Sequence, residues 1–397
     1  MRTATHSTRQ TRYFLAALAC ALVILAEGTS IAGIQGSGFR LLSVGPISAT
    51  DDGTISINGV AYTTDGAQIR IDGQHGSPSQ LQVGQVVTVK GDVNADRVTG
   101  AAIDVSFTGD VRGPISSIDT AQRSMVVLGQ TVRLSDDTVY GAGVESAGLE
   151  GLSVGTRVEV SGFQTAIGDL AASRIDLVTD STALQVRGTV QVVDTSAATF
   201  RINALAVDFS EAAIDGTLVE GATATVEGVA LPNGQLRATQ VSIASGAAAE
   251  AGEHGQFEGL ITSFLSAGDF SLGHQRVISG AGTHFVLHEQ ELGLDVAVKV
   301  RGTFNAAGVL VASKVEVRKQ AANLMRGLVE AVAASQGTMS VLGVNVSVSP
   351  ATAFRDKSKQ RLRRFGFSDL RTGDSVEVRG TLTHGVMVAD EVRLVHR

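Results

Sequence analysis

The sequence predicts an all-β protein built from five tandem copies of one small unit, and three observations carry that prediction. A stretch of the form L-x-x-G-x-x-V-x-V-x-G occupies residues 81–91, 152–162, 218–228, 292–302 and 370–380; Asp295 replaces the first glycine in the fourth copy and Ala224 the first valine in the third. Each unit also opens on a glycine, at Gly45, Gly113, Gly188, Gly259 and Gly327, so successive starts lie 68, 75, 71 and 68 residues apart. Such a period marks internal repeats. The third observation is compositional: 43% apolar and 18% charged residues, with 46 Gly against 5 Pro, suit a globular β-protein rather than a disordered chain.

At the N-terminus, Arg2, Arg9 and Arg12 precede an apolar run over 13–26. Its length falls short of the roughly 20 residues that span a bilayer and matches the apolar region of a secretory signal. Ser30 and Ala32 offer small residues for cleavage, with Ala26-Glu27-Gly28 as a second site, so residues 1–32 are expected to be a signal peptide. An uncleaved anchor and lipidation at Cys20 are the alternatives; Ala17 stands where a lipobox prefers Leu. Cys20 is the only cysteine, so a mature chain has no disulfide, thiol nucleophile or thiolate metal site, and no transmembrane span is expected in it. Cleavage removes three Arg and one Glu, a net +2, and takes the charge from −7 to −9. That balance opposes nucleic acid as a partner, because such binding rests on neutralising phosphates. Aromatic residues make up 4% with no Trp, which leaves few stacking platforms.

After a Gly-rich lead-in at 33–38, the repeats are placed at 40–108, 109–180, 184–244, 256–319 and 324–397, with 245–255 as a low-complexity linker. Hairpin signals follow each opening segment, at 54–62 around Asn58-Gly59, then at 125–134, 199–209, 270–278 and 338–348. A variable connection leads to the motif. Its first glycine reads as a turn of positive φ, which Asp295 also tolerates. The apolar positions three and five residues later, such as Val87 and Val89 or Val376 and Val378, share one face of a core strand. The final strand reads Leu170, Ala172, Ile175, Leu177 in the second unit, with Ala238, Ala312 and Ala389 in the later ones and Val98, Gly100, Ile103, Val105 in the first. Its change from two- to three-residue spacing predicts a bulge beside the small residue. Five strands in about 60 to 70 residues is the size of a small OB-type barrel. The expected architecture is therefore five OB-like, five-stranded barrels in series, each folding on its own apolar faces.

The openings Gly45-Pro46-Ile47, Val111-Arg112-Gly113-Pro114-Ile115 and Val186-Arg187-Gly188-Thr189-Val190, with Ile57-Asn58-Gly59-Val60 and the motif at 81–91, resemble tandem bacterial envelope proteins. That family is known as domain of unknown function 5666. The resemblance extends over essentially everything from Gly33 onward. It implies OB-like barrels exported across the inner membrane, periplasmic or envelope-associated in a Gram-negative-type bacterium, and it brings no catalytic residues.

Few side-chain constellations suggest chemistry. Asp92-Val93-Asn94-Ala95-Asp96 begins like a calcium loop, but Arg97 stands where Gly is required and Ile103 where the bidentate Glu belongs; a polar hairpin tip is expected. His274, His284 and His288, with Glu289 and Glu291, crowd the fourth unit. Four residues of extended strand separate His284 from His288 by roughly 13 Å, too far for one metal. Asp51-Asp52 and Asp136-Asp137 fall at turns. No catalytic residue, cofactor or metal ligand is assigned. One stretch departs from the acidic background: Arg355, Lys357, Lys359, Arg361, Arg363 and Arg364, opposed only by Asp356. Leu362 and Phe365 within it predict a short helix that buries both. The run reads either as a solvated cap or as a dock for anionic lipid head groups or an acidic partner. The expected function is a non-enzymatic exported scaffold, binding or structural, whose partner is a protein, a glycan or an anionic envelope surface. The alternatives are an OB protein of the periplasm that binds oligosaccharide or oligonucleotide and, further off, a hydrolase or metal-binding protein using the fourth unit's histidines.

Overall fold

The computed structural model describes residues 38–397 except 136, 145–147, 180–182, 245–248, 289, 319–322, 359–361, 363–364, 384–385 and 397. The basic start and its apolar run, with the export signal expected there, lie outside the described residues. Strands, turns and short 3-10 segments make up the described chain, with no α-helix among them, as the all-β reading required.

Period-two alternation explains which face each strand buries. The motif positions Val87, Val89, Val158, Val160, Ala224, Val226, Val298, Val300, Val376 and Val378 are all within 1% exposure. In repeat one the opening strand Phe39–Asp51 pairs antiparallel with the core strand Val86–Val93 along its first half and with the hairpin strand Thr54–Ile57 along its second. Thr54–Ile57 pairs with Val60–Thr63, which runs parallel to the final strand Thr99–Phe107, and that strand returns antiparallel to the core strand. The five strands thus close on themselves. The same pairings recur around the core strands Arg157–Gln164 and Thr223–Ala230. They recur again around Ala297–Phe304 and Ser375–Thr383. Separate apolar clusters fill the successive repeats.

The two motif glycines have different physical reasons. At the first, φ lies between 82° and 92° in four copies and at 62° in Asp295. Its N–H donates to an opening-strand carbonyl in every copy, from Gly84 to Ile47, Gly155 to Ile115, Gly221 to Val190, Asp295 to Ile261 and Gly373 to Val329. The turn therefore pins the core strand to the opening strand. At the second, the final strand bulges as expected, leaving Ser173, Thr239, Ser313 and Asp390 out of register. A Cβ on Gly91 would stand 2.6 Å from the Ala101 carbonyl oxygen, and on Gly162, Gly228, Gly302 and Gly380 closer still to the equivalent oxygens. Only glycine fits.

Four expectations need correction. In repeat one the final-strand pattern lies two residues further on: Gly91 pairs with Ala102, so Gly100, Ala102, Val105 and Phe107 form the inward face. Val98 is 54% and Ile103 39% exposed; with glycine at 100 where other repeats carry Leu or Met, the apolar pattern offered a false match. Each connection also adds a short strand parallel to the final strand, Gln68–Ile71, Val139–Tyr140, Ala213–Asp215, His284–Val286 and Ala353–Asp356. In repeat five this strand and the 3-10 turn Phe367–Asp369 flank the insertion, and Leu362 is exposed while Phe365 packs against Phe354. The anticipated burial of Leu362 fails, its backbone N–H donating to Asp356 at 2.8 Å, while the helix expected around it falls largely on residues outside those described.

The remaining correction concerns independence. Residues 41–44 of repeat one pair in parallel with 254–257 of repeat four, and 185–186 of repeat three pair antiparallel with 111–112 of repeat two. The opening strand His254–Ser266 begins inside the stretch read as a linker, and Ala249 packs on the fourth core.

Candidate functional site

Alternation that sends Val87 and Val89 inward sends Val86, Thr88 and Lys90 outward, and such outward faces meet where repeats one to four adjoin. Side-chain hydrogen bonds hold the faces together. The bulge residue Ser173 donates through Oγ to the Gly84 carbonyl at 2.7 Å, Arg174 donates to the Val83 carbonyl at 2.8 Å, and Val86 N–H donates to Ser161 Oγ at 2.9 Å. Gln130 reaches the Ile202 carbonyl at 3.1 Å and accepts from Asn203 at 2.7 Å. Gln185 donates to the Gly109 carbonyl at 2.7 Å, while Arg112 bridges Asp72 and Glu159. Ala166 N–H donates to Asp295 Oδ1 at 2.6 Å, so the residue that replaces a motif glycine also ties repeat four to repeat two.

These four repeats line an open cavity of about 650 Å³. Its apolar lining comes from Leu42 and Val44 of repeat one, Phe163 of repeat two, and Phe257, Leu260 and Leu272 of repeat four. Its polar lining includes Arg70, Thr88, Lys90, Asp104, Asp110, Arg187, Thr223, Glu258 and His274. Most of these charges are paired: Arg70 with Asp104 at 2.5 Å, Lys90 with the nearly buried Glu253 at 3.3 Å, and Glu258 with Arg318. Arg187 is held more loosely, 3.7 Å from Asp110. Burial pushes the Asp110 carboxyl up to about 6, against the pull of Arg187 and of the Gly162 N–H that donates to it at 2.9 Å. His274 shares a hydrogen bond with Thr223, and burial followed by the Arg187 charge lowers its pKa, so the imidazole is neutral at pH 7. A volume of this size with a wall of mixed apolar and polar groups suits a small amphipathic molecule.

The basic residues singled out in the sequence lie elsewhere. Arg355 sits in the strand Ala353–Asp356 with its Nε 2.7 Å from Glu391, which also engages Arg393 at 2.8 Å. Lys357 is exposed and its backbone N–H donates to the Leu394 carbonyl. Lys359, Arg361, Arg363 and Arg364 lie outside the described residues, as do Asp136 and Glu289. His284 is exposed in a strand opposite Lys314, and His288 is exposed beyond it. Among the described residues no three His, Cys, Asp or Glu side chains converge as a metal site requires. Asp96 accepts from the N–H groups of Val98 and Thr99 and from the Thr99 hydroxyl, closing the hairpin tip expected there. Sequence reasoning missed the cavity because its wall is assembled from alternate positions on four repeats, and no local pattern links them.

The family model described as "Domain of unknown function (DUF5666)" matches residues 44–102, 112–176, 258–316 and 326–393. No curated protein matches the chain. Among solved structures the chain is similar to "drosophila Unr CSD456", at 16% identity over 55% of this chain and 99% of that one, with a TM-score of 0.14. It is also similar to a multidomain protein with nucleic acid binding domains from Streptococcus pneumoniae TIGR4, at 9% identity over 53% of this chain and 72% of that one, again at 0.14. Scores that low lend nothing to the reading of this chain. Among the described residues no helix is long and apolar enough to cross a membrane.

Proposed function

The chain belongs to the DUF5666 family of domains of unknown function, and from that premise we propose an exported, non-enzymatic scaffold of five OB-like barrels that holds a small amphipathic ligand among its first four repeats. The supporting observation is the cavity walled jointly by those repeats. Its polar groups are engaged with one another, as Arg70 is with Asp104 and His274 with Thr223. Such pairs orient a bound molecule without needing to turn it over. The barrel count is supported by the cycle of strand pairings, which runs first to second to third to fifth to fourth in every repeat and matches a five-stranded Greek-key barrel of the OB kind. Export is supported by the basic start and apolar run. A net charge of −7 favours a ligand other than nucleic acid.

The test of binding uses 8-anilinonaphthalene-1-sulfonate, an amphipathic anion of fitting size. Saturable binding at one site per chain is expected, with loss of that site in Ser106→Trp, which places a strand-compatible aromatic on the cavity wall. Equal binding by two proteins of equal melting temperature would remove the cavity from the function. Export is checked by sequencing the N-terminus of protein recovered from the envelope fraction: a start near Gly33 is expected, and an intact Met1 would overturn it.

A further inference from the structure

Between repeats one and four lies a second, smaller cavity of about 340 Å³. Its wall carries a row of charges across three neighbouring strands, since Glu258 is register-paired with Lys299 and Lys299 with Glu316. Lys299 points outward because Val298 and Val300 on either side of it fill the core. The hairpin turn of repeat one docks over this row. The Asn58 carbonyl accepts from Gln256 at 2.8 Å and from the Lys299 amine. The two flanking acids are engaged elsewhere, Glu258 with Arg318 and Glu316 with Lys314 at 2.5 Å. The hydrogen bond that Lys299 makes therefore runs to a neutral carbonyl, and the residue lines the cavity.

We infer that Lys299 is a nucleophilic lysine that captures small aldehydes or ketones as an imine in this cavity. Burial is the dominant influence on the amine and takes its pKa down to about 8; Glu258 and Glu316 oppose that fall while Arg301 and Arg318 add to it. The one further titratable group lining the cavity, His288, comes from the connection. At pH 7 about a tenth of such an amine is unprotonated, about two hundredfold more than for an ordinary lysine. The uncharged form is the nucleophile. Its lone pair forms the C–N bond as the carbonyl electrons move to oxygen. The oxygen takes up a proton and the nitrogen gives one up, leaving a carbinolamine. A second proton on that hydroxyl lets it depart as water while the nitrogen lone pair completes the C=N bond, and the iminium N–H then gives that proton back to leave the imine. One water leaves per imine, and no oxidant or reductant is consumed. The cavity is open to solvent, and water exchanges these protons. A volume of 340 Å³ lies at the small end of ligand sites, so the carbonyl compound is a small molecule. Apart from Glu258 the lining residues differ from those of the central cavity, so this inference is independent of that cavity's ligand.

The experiment treats the full chain with acetaldehyde and sodium cyanoborohydride at pH 7 and locates the alkylated lysines by peptide mass mapping. Lys299 is expected to be labelled at least tenfold faster than Lys90, Lys314 or Lys357, although Lys357 is exposed. The rate at Lys299 rises to about pH 8 and then levels. A lysine with a merely structural role is the slowest of the set. Labelling of Lys299 at or below the rate of the other three would overturn the inference.

Discussion

Tyr62 lies opposite Gly100 across the parallel strand pair that closes the first repeat, and between them they redistribute the volume that other repeats divide differently. The equivalent pairs are Val132 with Leu170, Val207 with Leu236, Val277 with Leu310 and Val346 with Met387. A Cβ on Gly91 or Gly100 would stand 3.0 or 3.3 Å from the Tyr62 ring, so the large side chain depends on two bare neighbours. The ring is fully buried, and its hydroxyl meets Ser43 Oγ at 2.9 Å, which satisfies both polar groups inside the barrel.

That arrangement separates two contributions. Tyr62→Phe keeps the volume and leaves the buried Ser43 hydroxyl without its partner, at a cost of about 1 kcal/mol. Tyr62→Val restores the residue the other repeats use but opposite a glycine, so it opens a cavity and costs about 3 kcal/mol. Denaturant unfolding of the two variants checks the order.

The motif glycines give a sharper contrast. Gly380→Ala drives a Cβ into the Val388 carbonyl across the bulge, where backbone cannot yield cheaply, and repeat five is expected not to fold. Gly373→Asp meets open space at φ 92°, and Asp295 already fills the equivalent turn, so a loss of only about 1 kcal/mol is expected. Amide spectra of the two proteins distinguish these outcomes.

Those same residues show how far the sequence could be read. Positive φ at the first glycine and a bulge at the second were legible, because turn chemistry and strand period are local. The register of the first repeat was not, since Gly100 erased the apolar signal and its compensating Tyr62 lies 38 residues upstream. Pairing of 41–44 with 254–257 was equally hidden: Leu42 and Val44 read as part of repeat one's own strand, yet they pack with the fourth core. The central cavity follows from that association and inherited its invisibility.

Truncation after residue 244 tests the association directly. Repeats one to three keep apolar clusters of their own, so the fragment is expected to give a dispersed amide spectrum. It also loses the partner of 41–44, leaving an unpaired strand edge beside Leu42 and Val44. Bare edges of that kind pair with other chains. Light scattering is expected to show self-association of the fragment and a monodisperse full chain; a monomeric fragment would mean the edge is protected without repeat four.

Asp110 makes a prediction about pH, because it is a buried acid whose folded pKa is raised rather than lowered. Burial lifts it to about 6, and the facing charges are Arg187, which opposes the rise, with Glu159 and Asp72, which add to it. Between its unfolded value near 4 and its folded value, the native state binds the extra proton. Stability from this group is therefore present below about pH 4 and lost as the pH climbs toward 6. A shift of about two units corresponds to roughly 3 kcal/mol. Asp110→Asn keeps an acceptor for the Gly162 N–H and removes the charge, so at pH 7 the variant is expected to be the more stable protein, and at pH 4 the two should agree closely. Glu258, Glu159 and Lys299 also titrate differently in the folded chain, which is why the comparison is between variant and wild type at each pH rather than along one profile. Denaturant unfolding at the two pH values checks it. A variant less stable at pH 7 would show that the Arg187 contact, loose as it is at 3.7 Å, outweighs the burial of the carboxylate.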